Sequence, residues 1–338
     1  VGSLKKQSTQ PAVFTIPGDQ PFLDSLVGGL RTTLGDSPEA LSKATILLPT
    51  RRACRVLRDT FLRHRKGKSL LLPRLLPLGD LDEDELLISG SQIIDDSSGF
   101  DGALELSIPP AIPSIRRQMV LTRLILSQPD SLVTPDQAAH LAKELARLLD
   151  QIHTEHLTFD QIKNLAPENF SAHWQITLDF LTIITDAWPK ILAIDGLLDP
   201  AERRNRLLEA LARLWHETQP KEIIIAAGST GSIPATASLL SVISRLPRGA
   251  VILPGLDLKT DEFTWSQIGP THPQFGMAQL LSHMEVPRCE ISSWYTDRVT
   301  SDSNRDFFVN TALAPAGASP SVIEQNQLKG ALTGVTRL

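Results

Sequence analysis

The stretch from Thr45 to Asp80, TILLPTRRACRVLRDTFLRHRKGKSLLLPRLLPLGD, changes its hydrophobic period twice. This restricts the chain to folds in which a strand feeds a helix that returns to another strand. Thr45 to Leu48 are β-branched or apolar and read as a buried strand, which Pro49 and Thr50 interrupt. From Arg51 the apolar residues Ala53, Val56, Leu57 and Phe61 fall at helical spacing, and Leu70 to Leu76 reads as the next strand. Between Arg51 and Arg74 nine Lys or Arg face one acid, Asp59, a local charge of +8 in a chain of net charge -5.

The same unit recurs along the chain. Val13 to Ile16 is a short strand, followed by the loop Pro17-Gly18-Asp19-Gln20-Pro21 and a helix from Phe22 to Leu34. Glu222 to Ala227 is a strand that turns at Gly228-Ser229-Thr230-Gly231-Ser232 into a helix from Pro234 to Arg245. Ala250 to Leu253 is another, closing at Pro254-Gly255-Leu256-Asp257. Alternation of this kind predicts a parallel α/β sheet. Between its halves, from Ile115 to Trp215, every periodic segment is helical. One helix opens with Thr134-Pro135-Asp136-Gln137, a capping box, and runs Ala138, Leu141, Leu145, Leu148, Leu149, Ile152 along one face. Another carries Trp174, Leu178, Leu181, Ile184 and Trp188 and should stop near Pro189. A third begins at a second capping box, Asp199-Pro200-Ala201-Glu202. The expected plan is a loose tail over 1–12, an α/β domain made of 13–112 and 221–290, an all-helical insertion over 113–220, and a linker over 291–338 leading toward a further part of a longer protein.

With 338 residues, 41% hydrophobic and 21% charged, the chain is an ordinary globular one. It holds no apolar run of the ~18 to 20 residues a membrane span needs, and its first residues hold no signal-peptide core, so a cytoplasmic protein is expected. Cys54 and Cys289 share no motif and read as reduced thiols.

Few motifs carry chemistry. A phosphate-binding loop ends in Gly-Lys-Ser/Thr so that backbone amides cradle the phosphates and the lysine neutralises them. Pro17 to Gln20 has no such lysine, and Asp19 adds a negative charge where phosphate would sit. The acids Asp80, Asp82, Glu83, Asp84 and Glu85 fit a helix start better than a chelating site. His153-Thr154-Glu155-His156 is one residue short of an inverted zinc-protease pattern and continues a leucine-rich helix. Gly228 to Ser232 reads mainly as a turn, Arg203, Arg204 and Arg206 form a second basic cluster, and Asp257, Asp261 and Glu262 are scattered loop acids. What remains is the basic helix. Arg51, Arg52, Arg55 and Arg58 crowd two turns at the carboxyl end of a strand, where open α/β sheets place their ligands, which favours phosphate binding.

These stretches together resemble a known family. VFTIPGDQPFLDSLVGGL, TILLPTRRACRVLRDTFL, LLLPRLLPLGDLDEDELL, HWQITLDFLTIITDAWP, DPAERRNRLL, AAGSTGSIPATASLL, LPGLD and HPQFGMAQLL, in this order over residues 13 to 315, are similar to the N-terminal part of AddB-type subunits of bacterial AddAB helicase–nucleases in their alphaproteobacterial form. The resemblance implies double-strand break repair, a P-loop-helicase-like sheet with an inserted helical subdomain, an AddA-type helicase subunit and DNA as partners, and no membrane. It also implies an exonuclease with an iron–sulfur cluster and Mg in a part beyond this chain, and no cofactor within it. Leu48 to Ala53 resembles the helicase motif that touches single-stranded DNA, which makes Thr50, Arg51, Arg52, Arg55, Arg58 and Arg74 the DNA-binding candidates. Pro17, Gly18, Asp19 and Gln20 stand at the nucleotide loop, and Gly228-Ser229-Thr230 at the place of the metal-binding acids. Neither position has its chemistry, so ATP hydrolysis by this chain is not expected. Two other readings stay open: a nucleotide-binding regulatory or NTPase domain with an unusual loop, and a protein-interaction module without DNA binding.

Overall fold

The computed structural model describes residues 10–35, 38–64, 71–80, 108–128, 133–158 and 182–295, with a few positions near 312. The acids from 81 to 85, the predicted loop over 89–107 and the Trp174 to Leu181 part of one predicted helix lie outside the described residues. The chain divides into two compact units, one made of 1–95, 212–232 and 236–338, the other of 96–211 and 233–235.

The first unit is built on a six-stranded, all-parallel sheet. Its strands are β1 (Val13–Ile16), β2 (Ala44–Leu48), β3 (Arg74–Pro77), β4 (Ile223–Ala227), β5 (Gly249–Pro254) and β6 (Ser292–Ser293), in the order β3-β2-β4-β5-β1-β6. Each crossover carries a helix: α1 (Phe22–Leu34) and the short α2 (Pro38–Ser42) after β1, and α3 (Arg51–His64) after β2. The strand predicted over Leu70 to Leu76 is confined to β3, because only these residues pair with Thr45 to Leu48.

Strand alternation sorts the core. Ile46, Leu48, Ile223, Ile225, Ala227, Ala250, Ile252 and Ile16 pack with Leu26, Val27 and Leu30 of α1 and Cys54, Leu57 and Phe61 of α3. Val56, expected on the buried face of α3, is 42% exposed, since the inward row runs through residues 54, 57 and 61. Leu47, Ile224, Ala226, Val251 and Leu253 alternate to the opposite face and are equally buried. Right-handed crossovers place the helices of the rightward connections on that face: α8 (Pro234–Arg245) between β4 and β5, and α10 (Phe275–Met284) between β5 and β6. Trp294, just after β6, closes the unit. Its ring fills a notch at Gly29 of α1, where a Cβ would stand 2.1 Å from Nε1, and it meets Phe14 edge to face at 5.2 Å.

The second unit is helical, with α4 (Ser114–Leu126), α5 (Pro135–Thr154), α6 (Trp188–Asp195) and the start of α7 (Pro200–Thr218), whose last turns from Ala212 belong to the first unit. The capping box holds at α5, where Gln137 accepts a hydrogen bond from the Thr134 N–H at 3.1 Å. The buried row of α5 is Ala138, Ala142, Leu145, Leu149 and Ile152, whereas Leu141 lies off that row and is 39% exposed. Pro189 does not end a helix. A π turn over Ile183–Ala187 precedes it, and the proline falls in the first turn of α6, where a missing N–H costs nothing.

Asp199 corrects another expectation. Its carboxylate turns away from the first amides of α7 into the interior, fully buried. There Oδ2 accepts hydrogen bonds from Trp188 Nε1 at 2.8 Å and His153 Nε2 at 3.2 Å. Arg117, itself buried, brings Nε to 2.9 Å from Oδ1 off the line of a good hydrogen bond, so this contact is Coulombic. The same guanidinium donates to Asp150 at 2.9 Å and to the Ala146 carbonyl at 3.1 Å. Three helices of this unit, α4, α5 and α6, thus converge on one carboxylate. Replacing Asp199 by Ala leaves the buried Arg117 with Asp150 as its one carboxylate and strips Trp188 and His153 of their acceptor, and should cost this unit about 3 kcal/mol. Guanidinium unfolding is expected to show an early transition for helical signal while the sheet unit keeps its midpoint.

Candidate nucleic-acid interface

In an open parallel sheet, ligands bind outside the carboxyl ends of the strands where connections leave in opposite directions. Here β2 continues toward β3 on one side and β4 toward β5 on the other, so the crevice between β2 and β4 is such a point. A second lies between β1 and β5. Both crevices are in the first unit.

At the first crevice, Pro49 and Thr50 follow β2 and Gly228 follows β4. Gly228 has φ +77°, and a Cβ there would lie 3.2 Å from the Phe22 ring and 3.7 Å from Pro49, so the phenyl ring of Phe22 lies close over this glycine. At the second crevice, a Cβ on Gly255 would lie 3.5 Å from the Gly18 Cα, which brings the loop Pro17 to Gln20 down onto the end of β5. Gly255 N–H also donates to the Ile16 carbonyl at 2.8 Å, and Gln20 N–H closes a turn on Pro17 at 3.1 Å. Gly228-Ser229-Thr230 holds hydroxyls and backbone but no carboxylate, and Gly231 N–H donates to Ser229 Oγ at 3.2 Å.

The candidate DNA-binding residues separate into two places. Thr50 is the N-cap of α3, with its Oγ1 accepting from Ala53 N–H at 3.1 Å. Arg51 and Arg52 follow in the first turn, at the carboxyl edge of the sheet, and this turn contains no acid. The macrodipole makes two cations there unfavourable by about 0.3 to 1 kcal/mol each, a cost that a bound anion removes. Arg51, Arg55 and Arg58 stand at i, i+4 and i+7 on one stripe, all exposed. Among the described residues no carboxylate lies within 4 Å of Arg52, Arg55 or Arg58, so these guanidinium groups face solvent. Arg74 is elsewhere. It begins β3 and pairs in register with Thr45, which puts its Cα at the amino edge of the sheet, a strand length away from Arg51. The parallel direction of β2 and β3 imposes this.

Other charged motifs are absorbed by structure. Arg203 Nε donates to the Pro109 carbonyl at 3.2 Å, Arg204 to Thr154 at 3.0 Å, and the exposed Arg206 pairs with Glu202 one turn back at 2.5 Å, so each member of the second basic cluster has an intramolecular partner. His153 is bound to Asp199 and His156 lies 3.5 Å from Glu209. Among the described residues no group of three His, Cys, Asp or Glu could hold a metal, and no helix is long and apolar enough to cross a membrane. Phe22, the ring at the switch point, was invisible as a site residue in the sequence, where it reads only as the first apolar residue of α1. Compared with known proteins, the chain matches no family model and no curated sequence.

Phe22 over Gly228, and a Pro17 to Gln20 loop without a lysine beside Gly255, should leave ATP without a seat. Isothermal titration with ATP and Mg²⁺ up to about 1 mM is expected to give no saturable heat, and tight binding would overturn this account of the two crevices.

Proposed function

We propose that this chain is the helicase-like part of an AddB-type subunit, a scaffold silent in ATP hydrolysis that holds DNA by its backbone and docks on an AddA-type helicase partner in double-strand break repair. The observation that carries the DNA role is the stripe of Arg51, Arg55 and Arg58, exposed and one helical turn apart, starting at the carboxyl edge of a parallel sheet where the helix end already favours an anion. The order of motifs along the chain supports the family reading, and the interrupted sheet agrees with it. Loss of nucleotide chemistry follows from a loop without lysine and a β4 turn without carboxylates. Arg74, at the far edge, is left out of this interface. Contacts of this type track phosphates and carry no base information, so the expected binding is independent of sequence.

Fluorescence anisotropy with a labelled single strand tests it. Log K should fall with log salt by about 0.7 for each phosphate engaged. The Arg51→Ala, Arg55→Ala, Arg58→Ala triple variant should flatten that slope by about 2 and weaken binding tenfold or more, while Arg74→Ala changes neither. An unaltered slope in the triple variant would refute the assignment.

A further inference from the structure

The loop that follows β5 presents an unusual pairing of a locked scaffold with an exposed aromatic ring. It carries the short helix α9 (Glu262–Ser266). Arg288, buried with its side chain 6% exposed, reaches into the loop from below. Its Nε donates to Glu262 at 3.1 Å, Nη1 to the Asp257 carbonyl at 3.1 Å, and Nη2 to the Thr260 carbonyl and to Glu262. Its guanidinium lies 4.6 Å above the Trp265 ring. Asp257 folds back to accept from the Lys259 and Thr260 amides, and Asp261 caps α9 by accepting from Thr264 N–H at 2.9 Å. That hydrogen bond holds the Asp261 carboxyl below the usual carboxylate range, so it stays charged.

Phe263 points the other way, 67% exposed, with Leu258 nearby in sequence 42% exposed. A single surface aromatic needs no explanation. This one stands on a five-residue helix none of whose side chains is fully buried, and which the buried Arg288 holds through Glu262, the Trp265 ring and the two loop carbonyls before it. Rigid presentation of an aromatic anchor removes much of the ordering cost of association, which is how interface hot spots are built. The surrounding charge selects the partner. Asp257, Asp261 and Glu262 outnumber Lys259 and Arg288, which disfavours a phosphate backbone over the ring and favours a basic rim.

We propose that Phe263 is the anchor of a protein-docking surface, whose partner offers an apolar socket edged by Lys or Arg. On the functional reading above, on which this rests, the AddA-type subunit supplies that socket. The test uses the full chain, the purified AddA-type subunit and a labelled single strand, with affinities measured by biolayer interferometry and anisotropy. Phe263→Glu should weaken binding of the subunit at least tenfold and Phe263→Ala several-fold, with single-strand affinity unchanged and the melting temperature preserved, as expected for an exposed position. If both variants bind the subunit like the parent chain, the docking proposal falls and the functional reading stands. If the parent chain itself fails to bind the subunit, the functional reading falls and the proposal with it. If Phe263→Ala instead weakens the single strand and spares the subunit, the ring is a base-stacking platform and the docking proposal is wrong.

Discussion

Six parallel strands allow neither face of a sheet to meet water, and the architecture of the first unit follows from that constraint. Strands such as Ile223–Ala227 are apolar at every position because both faces are covered. Each return to the same end of the sheet needs a helix, and the hand of the crossover decides which face that helix covers. Moving from β1 to β2 skips two places, which β4 and β5 fill only after the helical unit has been traversed. Two switch points arise at the carboxyl edge as a consequence. The chemistry a protein of this plan can perform depends on what occupies them.

In this chain they are occupied by its own residues. The Phe22 ring lies over Gly228, and Gly18 abuts Gly255. Both contacts exploit glycine at positive φ, where a side chain would be strained, and at Gly228 it would also press on the Phe22 ring. With such contacts at its crevices the sheet offers its edge as a platform, and among the described residues there the arginine stripe of α3 faces solvent. Charges arranged along a helix at one-turn intervals suit a repeating polyanion better than a single small ligand, which needs groups converging on one point.

Buried arginines do the complementary work. Arg117 and Arg288 are each almost fully removed from water, and each is matched by carboxylates and carbonyls. One ties α4 to α5 and to Asp199, and the other braces the loop after β5. Breaking such a pair is costly because the remaining charge has nowhere to go. Neither network could be foreseen from spacing: Arg117 and Asp199, or Arg288 and Glu262, are far apart in the chain and sit among many other charges.

The sequence determined by itself what depends on neighbours along the chain. Periodicity located β1, β2, α1, α3, α5 and α8, the Thr134 capping box was correct to the residue, and the all-helical composition between the two α/β halves was plain. Local pattern also placed Arg51, Arg52, Arg55 and Arg58 on one helix behind a strand. Only the tertiary structure decided what depends on direction and company. It sent Arg74 to the opposite edge, because parallel pairing aligns the start of β3 with the start of β2. It turned the carboxylate of Asp199 from a cap into the core, and gave Arg203 and Arg204 hydrogen-bond partners in distant segments. It buried residues 54, 57 and 61 of α3 while leaving Val56 out. A helix or strand is encoded by residues within a few positions of one another, whereas the partner of a charge is set by which distant segments the fold brings within a few ångströms.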